Sequence, residues 1–356
     1  MKENKKFNII EDEKELDDIF SSKGNKLQKA IKKAKRDSII RTFIISIIVV
    51  VVLAGVSNIL CRELVYKLEG TVQISEDRFN EVSAPNKYKG KISRYHNYLN
   101  GRSIYTTYKI LEDKIVYTGE KEYHYGLFLN HQGNLIGTES PSILGYSYNE
   151  EDLKQKRFNE LGQREMVFFY PYVKYGRVFN DLSLLDNMPD NKYMEFALSF
   201  DQEYTIDEVK ALIPNNVTLA WYWVDDIPQE ERNKLQSYEV EEIYSNGEKH
   251  MISHSAKVRS ERTAYGIKAY NREGEFYQNP EELFLRAIER GKEEKSRYQG
   301  QFIELYNNFA DENGTLNKDN INILGVVVTG DKEGLDELKE LSFIRASSLG
   351  VVVDKL

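Results

Sequence analysis

Cysteine is nearly absent from this sequence: Cys61 is the only one in 356 residues. An internal disulfide is therefore excluded, and so is any cysteine-based zinc centre. Proline is scarce too, with seven residues against 24 tyrosines. So little proline beside so much tyrosine argues against a disordered stalk and for sheet. Beyond residue 60 there is no single-sign charge field of the kind that holds nucleic acid, and no internal repeat of fixed period. A net charge of −8 and 40% hydrophobic residues are ordinary for a folded protein.

Charge of either sign is missing altogether from Thr42 to Leu60, which reads TFIISIIVVVVLAGVSNIL. At roughly 1.5 Å per residue this run of about 19 residues makes a helix of about 28 Å, close to the ~30 Å hydrocarbon core of a bilayer. The few polar residues, Thr42, Ser46, Ser57 and Asn58, leave it apolar on every side. One membrane-spanning helix is expected. Upstream stand Lys23, Lys26, Lys29, Lys32, Lys33, Lys35, Arg36 and Arg41 against the single acid Asp37, whereas downstream Arg62 and Lys67 are balanced by Glu63 and Glu69. The positive-inside bias, set chiefly by Lys32, Lys33, Lys35, Arg36 and Arg41, places residues 1–41 in the cytoplasm and the rest outside. Two rivals are weaker. Val52 and Ala54 fit a signal-peptide cleavage site, but a polar leader of about 40 residues is far longer than usual. A lipid on Cys61 would need a small residue where Leu60 stands.

The expected cytoplasmic tail has two halves. Ile9 to Phe20 (IIEDEKELDDIF) is acidic, and Leu16, Ile19 and Phe20 are spaced to share one face of a short helix. Such a helix is marginal alone and becomes ordered on docking into a groove; the plainer reading is a disordered acidic tail. From Lys26 to Arg41 an apolar stripe of Leu27, Ala30, Ile31 and Ala34 runs among lysines, as in a juxtamembrane helix that holds anionic headgroups.

The run KLQKAIKKAKRDSIIRTFIISIIVVVV, Lys26 to Val52, resembles the amino-terminal segment of bacterial sigma-factor regulators, the membrane-bound anti-sigma proteins of extracytoplasmic-function sigma factors. Glu195 to Asp225 and Ile323 to Lys355 are similar to the carboxy-terminal domain of the same family, with FIRASSLG, Phe343 to Gly350, the most specific piece. The resemblance implies that the inner segment sequesters a sigma factor and that the outer domain receives an envelope signal. Contact with the sigma factor would fall on Ile10, Leu16, Ile19, Phe20, Leu27 and Ile31, and the acids from Glu11 to Asp18 would face its basic surface. Residues 1–41 contain no histidine or cysteine, so the chain departs from the zinc-containing class of anti-sigma proteins.

Outside, the expected order is a linker or helical stalk at 61–87 with a boundary at Pro85, a β-rich subdomain at 88–185, and an α+β domain at 186–356. Ser103 to Tyr125 has strand spacing with a hairpin turn at Glu112-Asp113, and Gly126 to Ile136 is a further hairpin candidate around Gly133-Asn134. Met166 to Val173 (MVFFYPYV) is expected as a buried strand interrupted by Pro171, and Asn180 to Asn191 as a polar link. In the last part, Glu195–Phe200 is a strand and Thr205 with Glu208 forms a capping box over a helix to Leu212. Val217–Val224 then returns as a strand. Asn279-Pro280 opens a helix, and Tyr298, Phe302, Leu305, Tyr306 and Phe309 have helical spacing. Ile323–Thr329 is a strand, Asp331 caps a helix over Leu335–Leu341, and Leu349–Val353 is the final strand. The fold class is α+β, with two β–α–β segments sharing one sheet.

Catalytic signals are poor. His250 and His254 are four apart but lack a carboxylate at ligand spacing. Asp225-Asp226 after Trp221, Tyr222 and Trp223 is an acid pair as in a glycosidase, or simply a strand end capped by acids. Thr329-Gly330-Asp331 lacks the spacing of a phosphate loop. No histidine near Ser347 or Ser348 activates either, so those serines and Arg345 read as ligand-binding or turn-stabilising. No catalytic, cofactor or metal residue is assigned. The expectation is a single-pass membrane anti-sigma factor whose partners are a sigma factor, the bilayer, and a second membrane protein or site-specific protease, without direct nucleic-acid binding. Its rivals are an anchored envelope binding or structural protein and an anchored hydrolase.

Overall fold

The computed structural model describes residues 4–128, 158–159, 161–243 and 249–356. The chain forms two compact units, Met1–Glu63 and Leu64–Leu356. Helix α1 runs over Asn4–Val82 without a break, so the tail helix, the juxtamembrane helix and the stalk expected separately are one element. Every residue from Thr42 to Leu60 is exposed on it. Burying those branched side chains in lipid removes a large hydration penalty, and among the described residues one helix is long and apolar enough to cross a membrane.

Strands β1 (Lys87–His96), β2 (Asn100–Leu111) and β3 (Lys114–Gly126) form an antiparallel meander. The turn between β2 and β3 falls at Glu112-Asp113 as the sequence predicts, with Glu112 at φ 54°. The hairpin candidate around Gly133-Asn134 lies outside the described residues. β1 carried no sequence signal strong enough to be assigned.

Met166–Val173 is a correction. Only Val167–Phe168 (β4) is strand, paired with Arg259–Ser260. The rest is irregular, yet Met166, Phe168, Phe169, Tyr170 and Val173 are buried. Its amides are satisfied by side chains: Val167 N–H donates to Ser348 Oγ at 3.1 Å and Phe169 N–H to Ser199 Oγ at 2.9 Å. The continuous apolar run therefore marked burial here, not ladder pairing. Asn180–Asn191 is a second correction, because Asp181–Asn187 is a 3-10 helix that buries Leu182 and Leu185.

Next come β5 (Lys192–Tyr204), helix α2 (Ile206–Leu212) and β6 (Thr218–Val224). Thr205 and Glu208 make the full capping box expected of them. A β7–β8 ribbon (Tyr238–Ile243, Lys249–His254) follows, then β9 (Arg259–Ser260) and β10 (Gly266–Lys268). Helices α3 (Pro280–Glu293) and α4 (Gln299–Phe309) form a hairpin. Pro280 occupies the first turn of α3, but Asn279 makes no side-chain cap. Strand β11 (Ile323–Asp331), helix α5 (Lys332–Asp336) with a 3-10 turn to Glu340, and β12 (Ile344–Asp354) complete the chain. Asp331 caps α5 through Gly334 N–H at 3.0 Å.

The main sheet has the order β10-β6-β11-β5-β12 with antiparallel neighbours throughout. β5 and β6 are thus parallel with β11 between them, and β11 and β12 are parallel with β5 between them. Two split β–α–β units interleave, the ferredoxin-like arrangement, with β10 added at one edge. The central strands are buried on both faces: Phe196, Ala197, Leu198, Phe200, Val326, Val327 and Val328 are all fully buried. That is why β11 reads as a continuous apolar run, whereas β5 also carries the buried polar residues Glu195 and Ser199.

Candidate functional site: the grip on the stalk helix

Beyond the apolar run, α1 presents one stripe to the domain, with Val65, Glu69 and Glu76 buried and Val72 and Phe79 partly buried. Val65, Glu69, Val72, Glu76 and Phe79 fall at offsets of four, three, four and three, which keeps them on one helix face. The apolar members repeat every seven residues, and so do the two acids. Val65 packs with Tyr105, Tyr123 and Tyr125 of the meander. Phe79 stacks on Tyr298 at 3.9 Å and meets Phe302 edge-on.

Both acids are buried and each is held by several groups. Glu69 takes Arg94 Nε at 2.7 Å, His96 Nε2 at 2.6 Å and the Ser103 hydroxyl at 3.1 Å. Glu76 takes an Arg297 nitrogen at 2.6 Å, the Tyr298 hydroxyl at 2.9 Å and the Tyr105 hydroxyl at 3.5 Å. Flanking pairs extend the grip: Lys89 Nζ lies 2.6 Å from Asp77 Oδ1, and Arg78 pairs with Glu294. Burial pushes the Lys89 ammonium down, against the pull of Asp77. The stalk is therefore held from one side by the meander and from the other by the α3–α4 hairpin, through charge-assisted bonds that would be costly to leave unmade. The stripe was overlooked in the sequence because glutamates break its apolar pattern; the seven-residue offset shared by Val65, Val72 and Phe79 is the signal that would have found it.

Where α1 ends, the backbone turns sharply. Ala84 has φ 57° and Asn86 φ 49°, a left-handed conformation that costs energy for residues with a Cβ. Asn86 secures it by donating to Ile110 O at 2.9 Å and Glu195 Oε1 at 3.0 Å while accepting from the Tyr270 hydroxyl at 2.9 Å. Beneath it, Lys109 Nζ lies 2.7 Å from both Glu195 and Glu261, and Lys87 reaches Glu261 at 3.2 Å. Burial opposes the charge on Glu261, but Lys109 and Lys87 outweigh it and hold its carboxyl at about 2. Burial raises Glu195, against Lys109 and with the Glu261 charge adding to the rise.

The other residues singled out in the sequence do not converge on this grip. Arg232 Nη2 lies 2.5 Å from Asp225 and 2.7 Å from Glu203, and the Tyr172 hydroxyl donates to Asp225 at 3.0 Å. Asp226 pairs with Arg259, and burial pushes its carboxyl up to about 6 despite that cation. The two acids are thus occupied by arginines at a strand end. His254 stacks on Tyr238 at 4.5 Å, and His250 stands opposite Glu242 in the β7–β8 ribbon. Among the described residues no group of three or more His, Cys, Asp or Glu is placed to hold a metal. Arg345 donates to the carbonyls of Tyr170 and Val173, each at 2.7 Å, and of Pro171 at 2.6 Å. Ser347 and Ser348 accept the amides of Leu182 and Val167. The FIRASSLG run therefore fastens irregular backbone to the sheet. Of the tail residues, Leu27 and Ile31 are exposed; the side chains of Ile10, Leu16, Ile19 and Phe20 lie outside the described residues.

Searches of curated proteins and of solved structures returned no match. Residues 185–351 match the family model described as sigma factor regulator C-terminal. That span covers the interleaved sheet and its helices, from the 3-10 helix before β5 into β12. Residues 185–351 are thus similar to the carboxy-terminal domain of sigma-factor regulators.

Proposed function

We propose that this chain is a single-pass membrane anti-sigma factor: residues 1–41 sequester an extracytoplasmic-function sigma factor in the cytoplasm, and the domain beyond the membrane controls release. The observation that carries the reading is α1 itself. One helix bears the apolar run Thr42–Leu60 and, a single turn later, the Val65–Phe79 stripe packed on the domain. A lone span transmits small shape changes poorly, so control needs an element with two states. The grip on Glu69 and Glu76 is such an element, since both carboxylates become hydrated if the stalk lets go. Release then acts on the helix by exposing it to a site-specific protease or to a second membrane protein.

Full-length protein captured from its own membranes should retain a sigma factor, and deleting residues 1–41 should raise sigma-dependent transcription. Failure of both would leave the second reading, an anchored envelope binding protein. Fusion reporters at the two termini check the orientation: opposite sides are expected, with the amino terminus inside.

A further inference from the structure

Between the stalk and α3 lies a cleft of about 340 Å³, within the size range of small-molecule sites. Its apolar wall is Ile74, Ile267, Tyr277, Leu283 and Phe284. Its charged groups are unequal. Two are already committed, Asp77 to Lys89 and Arg78 to Glu294. That leaves the cations Lys268, Arg286 and Arg290 facing one carboxylate, Glu81. Among the described residues none of these three cations has a carboxylate oxygen within 4.0 Å. Arg286 and Arg290 are one helical turn apart on α3 and both exposed, so they stand together at the mouth. Lys268 lies inside, donating to Lys87 O at 2.9 Å with its ammonium 5.0 Å from the Tyr88 ring.

We propose that this cleft binds a small amphipathic carboxylate, its apolar body against Ile74, Leu283 and Phe284 and its head on Arg286, Arg290 and Lys268. Such a ligand supplies the negative charge the cleft lacks and covers exposed apolar surface, notably Ile74 and Leu283. Burial holds the Lys268 ammonium down at about 7, with Glu81 pulling the other way, and an incoming anion would restore its charge. Because one wall is the stalk, occupancy favours the gripped state; that consequence rests on the proposed function, whereas binding itself does not.

The test is calorimetric titration of the full chain in phosphatidylcholine nanodiscs with 4-phenylbutyrate, using empty discs as blank and the neutral 4-phenylbutyramide as comparison. Saturable binding of the carboxylate is expected, about tenfold or more tighter than the amide. The Arg286→Gln/Arg290→Gln variant changes only exposed side chains and should lose about tenfold toward the carboxylate. Binding indistinguishable from empty discs, equal affinity for the amide, or an unaffected double variant would overturn the site. No sigma factor is present in this titration, so its failure leaves sequestration untouched, and a failed sigma capture leaves the titration standing.

Discussion

Lys109 Nζ lies 2.7 Å from Glu195 Oε2, fully buried, and joins β2 of the meander to the middle of the main sheet. The same ammonium also reaches Glu261, so one cation offsets two buried carboxylates. Lys109→Met should cost about 3–5 kcal/mol, because it strands charge away from water. Adding Glu195→Gln to that variant should recover part of the loss. Urea unfolding of the wild type, each single variant and the double variant checks this; strictly additive costs would mean that the pair is not coupled.

At the stalk, Glu76 is held by Arg297, Tyr298 and Tyr105. Glu76→Gln removes the charge and keeps the shape, so about 1.5–3 kcal/mol of local stability should go. Hydrogen exchange over Leu64–Val82 should accelerate while β5 and β11 stay protected. Under the proposed function the same variant shifts sigma-dependent transcription. Uniform acceleration across the domain would instead show a general folding defect.

Packing of the α3–α4 hairpin hinges on Gly291. A Cβ there would sit 2.3 Å from Phe302 Cγ, inside a buried ring that cannot swing away. Gly291→Ala should therefore destabilise by about 1–3 kcal/mol through overpacking, despite the better helix propensity of alanine. Thermal unfolding measures it. A gain in stability would mean that the hairpin has room to shift.

Lys268 sets a pH dependence whose sign follows from its depressed pKa. Its folded value is about 7 against an ordinary 10.5, so between those limits the unfolded chain binds the extra proton. Stability from this group therefore rises as pH goes from about 7 towards 10.5, by ~1.4 kcal/mol per pH unit at most. Lys268→Met should be the more stable protein at pH 7, with the gap closing as pH rises. A gap that does not change with pH would place the Lys268 titration elsewhere.

Much of this molecule was determined by its sequence. The uncharged run from Thr42 to Leu60 needs no partner to declare itself a candidate span, because its length and composition are complete within the run. Likewise the Thr205–Glu208 box, the Asp331 cap and the β2–β3 turn are local chemistry, complete within a few residues. The two β–α–β segments were legible for the same reason. That they interleave, with β11 between β5 and β6, depends on strands more than 100 residues apart and was decided only in three dimensions. So was the grip. Glu69 and Glu76 look like surface acids until Arg94, His96, Arg297 and Tyr298 arrive from distant segments to bond them, and a buried carboxylate is defined by partners that no local pattern records.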